Sequence, residues 1–303
     1  MPRFTVLMAV YNHEAFVAQA IDSVLAQTCL DWELLVVDDG STDGSGAILD
    51  ALASTDPRIR VVHQTNAGAA ASRNRAAGLA QGRWLTYLDS DDLWFPDALA
   101  RYSAYLDDHR GARFIHGYYH RLVGERVTYL PPRSQDRAGG AADLFQHVFL
   151  STLCSCHDRE LFDLAGPFDT SLRCCEDYAL FLRMSLHCSF EPIGHAIGLR
   201  RRHGNNISQR SGTSQRVEAE ILRQFAELPA ARPMLDPKKV ARRLGTVYER
   251  AARQFCAERR YREAHDMARE AIARLPKVRA WRALILLGLS AALRRDPSPR
   301  EAA

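Results

Sequence analysis

The sequence predicts an α/β fold, a mixed, mostly parallel sheet flanked by helices, followed by an all-α tail. Three observations carry this. The first hundred residues alternate short β-like runs with helical patterns, the signature of strands joined by crossover helices. Runs such as FTVLMAVY and WELLVV are apolar on both alternating faces, as expected of strands covered on both sides. From Ser214 onward the pattern becomes wholly helical, with apolar positions such as Ile221, Leu222 and Phe225.

In chain order, Phe4 to Tyr11, Trp32 to Val37, Ile59 to His63 and Trp84 to Leu88 are expected strands, separated by helices over Phe16 to Gln27, Gly44 to Ala53 and Ala69 to Gln81. Ligands of such sheets sit at the carboxyl ends of the strands. Beyond Leu88, Pro96 to Asp107 is expected to be helical. Arg113 to His120 and Arg126 to Leu130 form a hairpin around Val123, Gly124 and Glu125, and Pro131 to Gly140 is a polar loop. Arg159 to Ala165 and Tyr178 to His187 are short amphipathic helices on either side of GPFD. The turn-rich RSGTSQ near Ser211 marks a boundary between residues 1–210 and 211–303. Tyr248 to Pro276 resembles one tetratricopeptide unit, and one copy does not make a solenoid.

With 303 residues, 47% hydrophobic and 25% charged, the composition excludes disorder and collagen-like structure. The apolar stretch Ala283 to Leu293 is far short of the roughly 20 residues of a membrane span. The N-terminus has no signal-peptide cleavage site, so the default expectation is the cytoplasm. Seven cysteines with no Cys-x-x-Cys pair argue against a disulfide framework. The spacing of Cys154, Cys156, Cys174 and Cys175 suits zinc poorly, leaving reduced thiols as the better reading. Residues 1–209 carry a net −6 and residues 210–303 a net +10. An acidic first part suits a divalent-metal site; a basic tail suits either an anionic surface or a solvated helical bundle.

Three segments carry chemistry. VVDDGSTDGS (Val36 to Ser45) ends a strand in carboxylates, which accept hydrogen bonds from a base imide or ribose hydroxyls; the same residues also favour a turn and helix cap. YLDSDDLWFP (Tyr87 to Pro96) follows another strand. If the segment is extended, Asp89 and Asp91 share one side, where magnesium or manganese with phosphate oxygens would relieve their repulsion. NAGAAASRNRAAGLAQG (Asn66 to Gly82) begins a helix behind a glycine, with Arg73 available to clamp an anion. It has neither Gly-x-Gly-x-x-Gly nor a Walker lysine, which counts against a dinucleotide-binding oxidoreductase and a P-loop enzyme.

AVYNHEAFVAQAIDSVLAQT, DWELLVVDDGSTDGS, NAGAAASRNRAAGLAQG and RWLTYLDSDDLW, continued by DRELFDLAGPFDTSLRCCEDYALFLRMSL and RRHGNNIS, resemble the family 2 glycosyltransferases over about residues 4–208. The resemblance implies the Rossmann-like GT-A fold, with a donor half at about 1–95 and an acceptor half at about 96–210. It implies a nucleotide diphosphate sugar donor, most plausibly UDP-linked, and inverting transfer of one sugar to a hydroxyl of a bacterial surface glycan or lipid-linked acceptor. Tyr11 then packs near the nucleobase, Asp38 supports the strand end, Asp39 contacts the base imide, and Arg73 with Asn74 holds the nucleotide. Asp89 faces ribose or the metal shell, and Asp91 binds the manganese or magnesium that bridges the diphosphate. Asp177, with Glu176 beside it, is the expected general base. The alternative for that pair is an acidic first helical turn. His203 either reaches the metal or is structural, and Arg200, Arg201 and Arg202 either face phosphates or alternate along a strand.

Ala9 stands where many relatives carry a small polar residue beside the base. Cys174 and Cys175 bring oxidisable side chains near the acceptor end, where a thiol reagent would block access. No Gln-x-x-Arg-Trp motif of processive synthases is present, which favours single-residue transfer. The rival from another class is a catalytically silent nucleotide-sugar-binding or scaffold protein. No nucleic-acid partner is expected; a homo-oligomer stays open. Trp281, Leu284, Ile285, Leu287, Leu289 and Leu293, flanked by Arg279, Arg282, Arg294 and Arg295, would either lie on the inner face of an anionic membrane or pack against protein.

Overall fold

The computed structural model describes residues 1–131, 136–204, 211–275, 283 and 285–288. Parts of the Pro131 to Gly140 loop, of RRHGNNIS and of RSGTSQ, and most of the proposed membrane-facing stretch from Arg279 to Arg295, lie outside them. The chain divides into two compact units, Met1–Asn206 and Ile207–Ala303.

The first unit is built on one nine-stranded sheet. Strands β1 (Phe4–Val10), β2 (Trp32–Asp38), β3 (Ile59–His63) and β4 (Trp84–Tyr87) lie in the order β3-β2-β1-β4 and are all parallel. All seven residues of β2 are buried, as its unbroken apolar run requires. The crossover helices are α1 (Val17–Leu25), α2 (Ser45–Ala53) and α3 (Ala69–Leu79). In α1, Val17, Ala20, Ile21 and Val24 are buried at helical spacing. Helix α3 packs on β1 and β2 through small residues, Ala70, Ser72, Ala76 and Ala77, with Arg73 buried among them. Because strand order reverses at β1, the crevice between the carboxyl ends of β1 and β4 is the topological switch point where such sheets bind ligands.

The second half of the sheet is mixed. Strand β5 (Leu93–Trp94) precedes α4 (Ala98–Asp108), and β6 (Phe114–Val123) forms a hairpin with β7 (Arg126–Thr128). Helix α5 (Ala141–Gln146) and a 3-10 turn at Thr152–Cys154 lead into β8 (Ser155–Asp158), which runs antiparallel between β4 and β6. Helices α6 (Arg159–Ala165) and α7 (Glu176–Met184) flank GPFD, and β9 (Glu191–Arg202) lies parallel to β6 and antiparallel to β5. Arg200, Arg201 and Arg202 therefore alternate along a strand. One large core joins the strands to α1 and α4. Gly82 has no alternative residue: an added Cβ would sit 2.7 Å from the Phe4 carbonyl carbon and the Thr5 nitrogen.

The second unit holds α8 (Gly212–Glu227), α9 (Pro237–Ala257) and α10 (Tyr261–Arg274), with α9 packed on both neighbours. Ser211 and Asp236 cap α8 and α9, and Ala251, Phe255 and Ala264 form a small core. Among the described residues no helix is long and apolar enough to cross a membrane. All seven cysteines are free thiols, with Cys154 and Cys156 buried.

Candidate active site

The loops after β1 and β2 are stitched together. Asn12, held at φ 54°, accepts the Thr42 amide at 2.7 Å, while the Asn12 and His13 amides donate to the hydroxyls of Ser41 and Ser45. Glu14 accepts the Gly44 amide at 2.6 Å. Tyr11, at the lip of β1, is 48% exposed, free to meet a flat ligand.

Asp38 and Asp39 close β2 and are both buried. Asp38 accepts from the Ser41 amide at 3.0 Å and lies 2.9 Å from His63 Nδ1, whose Nε2 lies 2.9 Å from Asp50. Burial pulls the Asp38 pKa upward, but the hydrogen bonds from Ser41 and His63 win and lower it. Asp39 accepts from Gln64 at 2.7 Å and from the amides of Ala67 and Gly68, both at 2.8 Å. Its carboxylate thus shapes the loop that opens α3. Gly68 sits there at φ 93°, and Gly40 at φ 74° lets the two loops close.

The centre of the crevice is a charge cluster around the buried Arg73. The Arg73 guanidinium donates to Asp89 at 2.7 Å and to Glu176 at 2.6 Å. Burial works against its charge, yet Asp89 and then Glu176 more than compensate, so its pKa is raised. The Asp89 pKa is lowered: burial raises it, and Arg73 outweighs that. Thr152 adds a weak bond to Asp89 at 3.4 Å. Asp177, beside Glu176 in the first turn of α7, is pushed up to about 6 by burial and then by Glu176, with Arg73 pulling the other way. Arg73 thus connects an acid after β4 to the first turn of α7, 103 residues along the chain.

Neighbouring Asn74 is employed differently. Its amide donates to the Phe168 carbonyl at 2.9 Å and accepts the Phe168 N–H at 2.8 Å, which fastens GPFD to α3. Both ends of the side chain are thereby engaged with backbone rather than turned to a nucleotide.

The segment after β4 is not extended. The Asp92 N–H donates to the Asp89 carbonyl at 3.0 Å, closing a turn over Asp89 to Asp92. This corrects the extended geometry expected from the spacing; its cause is the reversal the chain must make to enter β5. Asp91 lies 2.9 Å from His203 Nε2. The His203 ring stacks on Phe16 with centroids 4.6 Å apart, and Arg201 covers the same phenyl ring at 5.1 Å. Asp92, buried and bonded to the Arg201 amide at 2.8 Å, has a pKa raised well above the usual range by burial and by Asp89 and Asp91.

Among the described residues no three His, Cys, Asp or Glu side chains form a metal cage. Asp91 and His203 are two adjacent donors, and a carboxylate with an imidazole, completed by phosphate oxygens and water, is a set that manganese accepts and magnesium tolerates. Burial raises the Cys174 pKa, which holds that thiol in its less reactive protonated form. Gln64, His63, Thr152, Asp92, Phe16 and Phe168 were not anticipated; only the turn-rich stretches around the first two groups marked their neighbourhood.

The profile described as Glycosyl transferase family 2 matches residues 5–188. The chain belongs to this family. It is a glycosyltransferase. It is 30% identical over 187 residues to the PGL/p-HBAD biosynthesis glycosyltransferase of Mycobacterium tuberculosis, covering 60% of this chain and 69% of that protein. With the putative teichuronic acid biosynthesis glycosyltransferase TuaG of Bacillus subtilis, identity is 39% over 118 residues, 39% of this chain and 47% of the relative. Among solved structures, Staphylococcus aureus TarS 1-349 in complex with UDP-GlcNAc aligns over 97% of this chain and 88% of that one, with a TM-score of 0.69 and 18% identity. The mannosyltransferase PcManGT of Pyrobaculum calidifontis, in complex with GDP-Man and Mn2+, gives a TM-score of 0.60 at 19% identity and covers 88% of that chain. The mixed α/β sheet with flanking helices is the GT-A fold of these enzymes, with C-terminal helices added.

Proposed function

We propose that this glycosyltransferase is a metal-dependent inverting enzyme that moves one sugar from a nucleotide diphosphate sugar, UDP-linked, to a hydroxyl of a cell-surface glycan or lipid-linked saccharide. The observation that carries the reading is the Arg73 bridge, 2.7 Å to Asp89 and 2.6 Å to Glu176, which brings the donor end of the crevice against Asp177. Relatives named for teichuronic acid and PGL/p-HBAD biosynthesis support a surface-glycan acceptor, and the UDP-GlcNAc complex of TarS supports a UDP-linked donor.

In this reading the nucleobase lies by Tyr11 and the loop shaped by Asp39, with Asp38 holding the strand end. Asp89 faces the ribose side while its other oxygen stays on Arg73. Asp91 and His203 would hold manganese or magnesium, whose positive charge would stabilise a departing diphosphate. Asp177 accepts the proton of the acceptor hydroxyl as that oxygen attacks the anomeric carbon from the face opposite the diphosphate, inverting its configuration. A carboxyl with a pKa of about 6 is ionised at neutral pH yet more basic than an ordinary aspartate, which suits a general base. Asn74 sets the GPFD loop rather than touching the nucleotide, and Glu176 holds Arg73 beside the base.

The test combines binding and turnover. UDP with manganese at about 100 times its dissociation constant should stabilise the protein by roughly 2.7 kcal/mol. Asp91→Asn should lose that shift, whereas Asp177→Asn should keep it and lose transfer and slow UDP-GlcNAc hydrolysis. Turnover surviving in Asp177→Asn would dismiss the base assignment; nucleotide binding without turnover on any donor in wild type would favour a silent scaffold.

A further inference from the structure

The helical unit carries a surface none of whose residues belongs to the crevice described above. Between α8 and α9 the chain forms a tight corner in which the Ala231 and Arg232 amides both donate to the Leu228 carbonyl, Met234 donates to Ala231, and Leu235 to Arg232. Ala231 and Leu235 are buried and anchor this corner. Around them the apolar side chains face outward: Leu228 is 37% and Met234 44% exposed, and Pro229, Ala230 and Pro233 are exposed as well.

The charges around this apolar tip are one-sided. Arg232, Lys238, Lys239 and Arg242 are all exposed. Of the acids nearby, Glu227 is bound to Arg223 at 2.7 Å, and Asp236 accepts the backbone amides of Lys238 and Lys239 at 2.8 and 3.4 Å. Lys238 and Lys239 occupy the first turn of α9, where positive charge opposes the helix dipole and no acid joins them. Helix stability therefore does not account for them. A compact anion such as free phosphate is not what they await, because Asp236 already occupies the amides that would bind it. Exposed apolar groups accompanied by an excess of exposed basic over acidic side chains match a broad surface with negative headgroups over an apolar interior.

We propose that the Leu228–Arg242 corner seats this enzyme on an anionic lipid bilayer, with the basic side chains on the headgroups and Leu228 and Met234 at the acyl boundary. These residues are not those of the Arg279 to Arg295 stretch, and the inference does not depend on the transfer mechanism.

The experiment is sedimentation of the full-length protein with vesicles of phosphatidylglycerol in phosphatidylcholine, compared with phosphatidylcholine alone, at low and high salt. Wild type should sediment with the anionic vesicles only, and release with salt. Combining Arg232→Glu, Lys238→Glu, Lys239→Glu and Arg242→Glu should weaken binding on the order of several hundredfold, since each basic residue near an anionic leaflet contributes several-fold. The matching Gln set should fall between, and Leu228→Ser with Met234→Ser should remove what binding salt leaves. Deleting residues 278–303 should leave binding in place. Unchanged melting temperatures and an unchanged UDP-induced shift would show that every variant is folded and that donor binding is untouched. The proposal is overturned by wild type staying in the supernatant at low salt, by equal binding to neutral vesicles, by charge-reversed protein binding as tightly as wild type, or by inorganic phosphate displacing wild type more than sodium chloride of the same ionic strength does.

Discussion

Replacing Arg73 with Met tests whether one buried cation organises the crevice. The arginine is 8% exposed, and the Asp89 and Glu176 side chains it bridges are 35% and 15% exposed. Removing one partner of a buried ion pair typically costs about 3–5 kcal/mol, because the remaining charge has lost its counterion. Here Asp89 reaches solvent, so the lower end, about 3 kcal/mol, is expected. For a unit the size of Met1–Asn206 this corresponds to a fall in melting temperature of roughly 6–12 °C. The same change removes the charge that holds Asp177 down, so its pKa should rise beyond about 6. The acid limb of the kcat profile for UDP-sugar turnover should move to higher pH accordingly. Differential scanning fluorimetry and a pH–rate series read the two effects separately, and Arg73→Lys should retain part of both. A melting temperature and an acid limb both left in place by Arg73→Met would refute the reasoning.

Asp177→Asn should be more stable than wild type above about pH 7. The raised pKa means that ionising Asp177 costs folded stability, fully incurred above pH 6 and absent below the ordinary aspartate range, so the gap, about 3 kcal/mol at most, should vanish on acidification in thermal melts. The His63 pKa is raised by Asp50 and then Asp38; stability from these pairs is present below the ordinary histidine pKa and lost as pH rises through the folded value. Asp50→Asn should lower that titration point, followed by imidazole proton NMR. Gly40→Ala, at φ 74° with a new Cβ 2.9 Å from the Asn66 nitrogen, should cost about 1–3 kcal/mol and weaken UDP binding by calorimetry. Adding EDTA should abolish the UDP-induced melting shift, and His203→Gln should reproduce that loss without EDTA.

The parallel half of the fold was legible because its cause is local. Strand β3 matches its expected bounds and β1, β2 and β4 fall within a residue of theirs, since apolar runs bounded by turn residues determine them. Strand β9 was marked only at its end, as one of two readings of Arg200, Arg201 and Arg202, because these arginines interrupt any apolar alternation; pairing with β6 and β5 makes the whole segment a strand. Likewise β8, SCHD, offered a pair of cysteines rather than a β pattern, and its burial comes from lying between β4 and β6. Within the crevice, Arg73 was visible as a helix arginine available to clamp an anion, but its bond to Glu176 joins residues 103 apart and no spacing encodes that. The turn over Asp89 to Asp92 was missed because two aspartates two apart look the same in an extended segment and in a tight reversal.

Adjacent residues of α3, Arg73 and Asn74, grasp two different points of the acceptor half, the first turn of α7 and the backbone of Phe168. Helix α3 therefore acts as a gauge that sets the spacing between Asp89 and the first turn of α7. Replacing the segment between Val123 and Ala141 should therefore leave the Arg73–Glu176 and Asn74–Phe168 bonds in place.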